Sequence, residues 1–169
     1  MNERYAVVVG VDGSRESQAA LRFALADAAR RRVGVRVVAA YVPPEYWAVS
    51  YGLSALPTLD ELDRDSEQVA RDTVSAVVAV EPRLGRVPTE LVTLPGPAAK
   101  ALIDQSRDAD LLVLGHRGRG GFKSAVLGSV GLHCVLHATC PVTIVRPEKV
   151  AETVERAEQD ARPVFVPIY

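Results

Sequence analysis

The sequence predicts a three-layer α/β/α sandwich around a five-stranded parallel sheet. Two observations carry this expectation: short apolar runs rich in β-branched residues alternate with segments of helical apolar spacing, and glycine or proline marks most of the junctions. Tyr5-Ala-Val-Val-Val-Gly-Val11 is a continuous apolar run, as expected of a strand buried on both faces and therefore central in the sheet. It stops at Asp12-Gly13-Ser14, where Ser14 is a good N-cap with Glu16 in the first turn. Leu21, Ala24, Leu25 and Ala28 then recur at helical spacing. Gly34 is read as the close of that helix, and Val35 to Val42 as a second buried strand completing a βαβ unit.

A loop from Pro43 to Pro57 follows, carrying Tyr46, Trp47 and Tyr51, and its length makes it more than a connector. From Thr58, the residues Leu62, Val69, Thr73, Val77 and Val80 mark one face of a long helix that Pro82 ends. Val87 to Leu94 reads as a third strand, Pro95-Gly-Pro97 opens a helix with Ala99, Leu102 and Ile103, and Asp110 to Gly115 reads as a fourth strand. Leu127 to His137 forms a further helix, and Val142 to Arg146 a short fifth strand. Right-handed crossovers make the sheet Rossmann-like, with ligands expected beyond the carboxyl ends of its strands. Residues 1–147 thus form one domain, and 148–169 a charged, then apolar tail suited to packing on the domain or on a partner.

Composition narrows the function. The chain has 169 residues, 48% of them hydrophobic, with 20 Lys plus Arg against 21 Asp plus Glu. Near-neutral charge disfavours nucleic acid as a partner, because that affinity comes largely from cations neutralising phosphates. No apolar run reaches the 18 or so residues of a membrane span, and Met1 to Glu3 open no signal peptide, so a cytoplasmic location is expected. Two cysteines, Cys134 and Cys140, are too few for a disulfide framework.

The chemistry concentrates after the fourth strand. Gly115-His-Arg-Gly118 is followed by nine residues and then Gly128-Ser129 at a helix start. Glycines let backbone approach a polyphosphate closely, and a helix start presents free N–H groups at the positive end of its dipole. Arg117, Arg119 and Lys123 place positive charge in the same stretch. A flexible turn is the plainer reading of such glycines, but the second Gly-Ser pair favours phosphate. The Walker pattern is absent because Lys123-Ser124 follows Phe122, and Gly10-Val-Asp-Gly13 lacks the dinucleotide fingerprint. Asp12, His116 and Ser129 invite a hydrolase triad, yet no Gly-x-Ser-x-Gly elbow is present. His133 and His137 share a helix face and could ligate zinc, whereas Cys134 points about 100° away from His133, as 3.6 residues per turn requires. A buried thiol beside two histidines is the simpler reading.

At these residues the chain resembles the universal stress protein family, whose nucleotide-binding members carry Gly, two residues, Gly, nine residues, Gly and Ser or Thr. Val7-Val-Val-Gly-Val-Asp12-Gly-Ser14, Leu112-Val-Leu-Gly115 and Cys140-Pro-Val-Thr-Ile-Val145 agree with the family in the same order. The resemblance implies an adenine nucleotide alpha hydrolase-like fold and an ATP site, with Mg2+ able to accompany the phosphates. By position, Gly10, Val11 and Asp12 would hold adenine and ribose, and Val42 would neighbour the adenine. Gly115, Arg117 and Gly118 would wrap ribose and phosphates, with Gly128, Ser129 and Val130 at the phosphate-facing helix start. It further implies a sensor or regulator of the stress response that works with a regulatory protein partner. It also implies a homodimer, for which Val142 to Arg146 offers an exposed edge. No positioned general base stands out, so at most slow ATP hydrolysis is expected. The alternatives are a dimeric interaction module that works without nucleotide and a nucleotide-transferring enzyme of related fold.

Overall fold

The computed structural model describes residues 5–43, 57–118 and 127–147. The aromatics Tyr46, Trp47 and Tyr51, the cations Arg119 and Lys123, and the tail 148–169 lie outside these residues. The elements run β1 (Tyr5–Gly10), α1 (Arg15–Arg31), β2 (Gly34–Tyr41), α2 (Leu59–Val80), a 3-10 turn (Pro82–Arg86), β3 (Thr89–Pro95), α3 (Ala98–Gln105), β4 (Leu111–Gly115), α4 (Ser129–His137) and β5 (Val142–Val145). All neighbouring strands are parallel, in the order β3-β2-β1-β4-β5. The expected α/β architecture is present, with β1 at its centre.

The period of two along each strand builds the layers. Val7, Val9, Val35, Val37, Leu111 and Val113 pack on one face against Ala20, Leu21, Ala24, Leu25 and Ala28 of α1 and Ala70 and Val77 of α2. Their alternates Val8, Val38, Leu112 and Leu114 pack on the other face with Leu102 of α3 and Cys134 of α4. β1 and β4 are therefore apolar at every position, because both of their faces are covered.

Several boundaries differ from the sequence reading for local reasons. Arg32, not Gly34, closes α1: it takes the left-handed conformation at φ 57°, and its N–H donates to the Ala28 carbonyl. Gly34 opens β2 instead, opposite Tyr5, whose ring would lie only 2.6 Å from a Cβ at that position. On α2, Ala70, Thr73 and Val77 are buried while Val80 is 78% exposed, so the buried face ends one turn before the helix does. Pro82 opens the 3-10 turn, which buries Leu84.

The chain order reverses direction across the sheet between β1 and β4. From β1 the chain builds outward through β2 to β3, then returns to lay β4 and β5 on the opposite side. Loops leaving β1 and β4 must diverge there, which opens a crevice at the carboxyl ends of those strands.

Candidate functional site

The crevice holds a cavity of about 350 Å³. Gly10, Val11 and Asp12 line it from the end of β1, Gly115, Arg117 and Gly118 from the end of β4, and Gly128, Ser129 and Val130 from the start of α4. The fold thus gathers nine of the ten residues singled out from the sequence. Val42, the tenth, lies just past β2, is 49% exposed and is not part of the lining.

The apolar floor was missed by the sequence reading. Val38 and Ala40 of β2, Leu114 of β4, and Ala98 and Leu102 of α3 supply it. The signal was present in the alternation of β2, since Val38, Ala40 and Val42 share one strand parity. What the sequence withheld was the strand's end at Tyr41 and the docking of α3 over that face.

Close approaches explain the glycines. A Cβ on Gly115 would stand 2.8 Å from the backbone carbon and oxygen of Glu16, so a side chain there would force β4 and the first turn of α1 apart. A Cβ on Gly118 would stand 2.6 Å from Asp12 Oδ2. The loop after β4 therefore runs directly over the carboxylate at the end of β1. Across the stretch that follows, the Gly128 N–H donates to the His116 carbonyl at 2.9 Å, tying the start of α4 to the end of β4. The His116 N–H in turn donates to the Val145 carbonyl at 2.9 Å.

The polar groups divide into those already engaged and those facing the cavity. Asp12 Oδ1 accepts from the Ser14 N–H at 3.0 Å and the Ser14 hydroxyl at 2.6 Å, while Ser14 Oγ accepts from the Ser17 N–H at 3.1 Å. Ser14 is thus the α1 cap that its position suggested, and Asp12 braces it while still bordering the cavity. By contrast, Gly128 caps α4 with no side-chain hydrogen bond, so the first turn of that helix faces the cavity without a protein acceptor of its own at the cap.

A hydrolytic triad is not assembled. The His116 Nδ1 is buried without a hydrogen-bond partner among the described residues, so the carboxylate contact that would orient a catalytic imidazole is missing there. Cys134 is buried beneath α4, and burial, followed by the nearby Cys140, pushes its thiol up to about 11. Such a buried, protonated thiol is a poor nucleophile at neutral pH, and both cysteines are free thiols. Among the described residues no three His, Cys, Asp or Glu side chains converge as a metal site, and no helix is long and apolar enough to cross a membrane.

Fold and cavity together define a doubly wound α/β protein with a glycine-lined crevice at its switch point. Residues 4–146 match the Universal stress protein family. The chain belongs to that family. The universal stress protein MT2699 of Mycobacterium tuberculosis is 32% identical over 143 residues, covering 83% of this chain and 47% of its own length. The chain spans about half the length of the curated relatives it matches. Among solved structures, a universal stress protein in complex with cAMP is 26% identical with a TM-score of 0.61, covering 84% of this chain and 97% of its own. The universal stress protein of Archaeoglobus fulgidus in complex with dAMP is 25% identical with a TM-score of 0.56, covering 85% and 98%.

Proposed function

We propose that the crevice binds an adenine nucleotide, ATP in the first instance, and that occupancy sets the conformation of a stress-response regulator. The observation that carries this reading is the joining of three features in one cavity: an apolar floor, a glycine loop drawn over Asp12, and a helix start with no side-chain cap. The two relatives in complex with cAMP and dAMP support the adenine class.

The residues present fit such a ligand. Val38, Ala40, Leu102 and Leu114 offer apolar surface to a purine, and burial of its rings supplies affinity without a charge partner. The Asp12 carboxylate, at the end of β1, suits hydroxyl or amino donors. Gly118 and the backbone of the α4 start suit phosphate oxygens, as a Cβ on Gly118 would meet Asp12 and Gly128 brings no side-chain cap to the helix N–H groups. Arg117 adds a cationic side chain to the lining. Mg2+, if required, would be recruited through the phosphates, where it keeps several waters. The ligand would bias the protein only by binding one arrangement of the loop after β4 better than another.

The test begins with protein purified without added nucleotide, denatured, and its supernatant separated by chromatography. ATP, AMP and cAMP are then titrated with and without Mg2+ into wild type and Gly118→Asp. Recovery of adenine nucleotide, or saturable binding that the substitution abolishes, is the expected result. Neither release nor binding at millimolar ligand would overturn the reading and leave the nucleotide-independent module.

Self-association is proposed through β5, an edge strand of the sheet, adjoining an α4 whose Leu132, Val135 and Leu136 are exposed. Sedimentation of wild type against Val142→Pro tests it, because Pro141 and Val145 turn their carbonyls to β4 and the alternate Val142 N–H faces the open edge at the first residue of the strand. An unchanged monomeric mass for both would sink it.

A further inference from the structure

The outer face of α4 carries a pair of groups that the crevice does not use. His133 and His137 lie one turn apart, both exposed, with ring centroids 4.4 Å apart and planes inclined by 48°. Among the described residues neither ring makes a hydrogen bond or an ion pair. Neither contributes to the buried core beneath α4, to which the helix turns Gly131 and Cys134.

We propose that His133 and His137 chelate a divalent transition-metal ion of the zinc, copper and nickel class, leaving further coordination positions open to water or an added ligand. Three physical arguments converge. Histidine nitrogens bind such ions at about 2.0–2.1 Å, so two ligand nitrogens of one ion sit about 3 Å apart, a spacing that two rings one helical turn apart reach by side-chain rotation. The pair lies at the carboxyl end of α4, with His137 in its last turn, where the helix dipole favours a cation. Cys134 is turned into the core and protonated, which leaves an all-imidazole donor pair. Imidazole suits zinc, copper and nickel, whereas magnesium and calcium take oxygen ligands. The site is therefore chemically distinct from any Mg2+ carried on nucleotide phosphates.

An unliganded pair gains little for the fold. Histidine is a middling helix former. A bound ion would add a bridge across the last turn of α4.

The experiment uses the untagged full chain, because an affinity tag of histidines would mask the signal. Cu2+, Zn2+ and Mg2+ are titrated by calorimetry into wild type, His133→Ala, His137→Ala, the double variant and Cys140→Ser. The chain has 3 histidines, so the double variant leaves only His116. Expected are saturable binding of one ion per chain, Cu2+ tighter than Zn2+, and no heat with Mg2+. Each single histidine variant weakens binding by about tenfold or more, and Cys140→Ser leaves it unchanged. Because both histidines are exposed, the variants keep the wild-type far-ultraviolet spectrum, and loss of the metal-induced rise in Tm gives a second readout. Absence of saturable binding below about 1 mM, or binding that survives in the double variant, overturns the site.

Discussion

The two faces of the sheet are built differently. On one, α1 and α2 are 17 and 22 residues long, and both begin at side-chain caps, Ser14 on Ser17 and a reciprocal Thr58–Glu61 capping box. On the other, α3 and α4 are 8 and 9 residues long and begin at Pro97 and Gly128 with no side-chain cap. The first face seals Val7, Val9, Val35 and Val37 beneath aliphatic helices, while the second leaves a cavity between sheet and helices. Helix ends completed by their own side chains contribute to stability. Ends left incomplete next to a cavity keep their N–H groups for something else.

The largest expected effect tests that division through the core. Leu25→Ala on the sealed face, where Leu25 is 0% exposed, should cost about 3 kcal/mol of unfolding free energy in urea. Leu102→Ala removes the same atoms beside an existing cavity and should cost about half as much. Equal losses would show that the faces share one packing density. Next, Gly128→Asp gives α4 a side-chain cap, and a Cβ there meets nothing nearer than 3.5 Å, so Tm should hold or rise slightly. The added negative charge should nonetheless weaken adenine-nucleotide binding by about tenfold, and unchanged affinity would separate the α4 start from the ligand.

Smaller effects sharpen the contrast. Thr58→Ala should lower stability by about 1 kcal/mol with no change in nucleotide affinity, since its cap lies on the sealed face. Cys134 gives a pH signature of the other face. Its thiol is raised in the folded state from 9.0 to about 11, so its contribution to stability is present below about pH 9 and is lost as pH rises through about 11. Denaturation across that range should show a shallower slope in Cys134→Ala than in wild type. Identical slopes would mean the thiol titrates alike in both states.

The strands and the sealed face were legible because their pattern is dense: β1 is apolar throughout, and α1 repeats Leu21, Ala24, Leu25 and Ala28 on one stripe. The glycines of the crevice were legible because close backbone approach admits few other residues. The cavity floor was not, because Ala98 and Leu102 look like any helix core until α3 is placed over Val38 and Leu114. The closure by Arg32 was hidden for a different reason. A left-handed arginine leaves no trace in sequence, and the glycine two residues on is the more usual helix stop. Asp12, which the resemblance set against adenine and ribose, braces the Ser14 cap with one oxygen and borders the cavity.

The hydrogen bond from Gly128 to His116 closes a ring of chain containing residues 117–127, with its two ends 2.9 Å apart. Lengthening a ring whose ends are already pinned costs entropy only logarithmically, about 0.6 kcal/mol per doubling. The segment is thus a natural port for insertion. A peptide or small domain grafted between residues 119 and 126 would leave both anchors, and the Arg117 and Gly118 that line the crevice, unaltered in sequence.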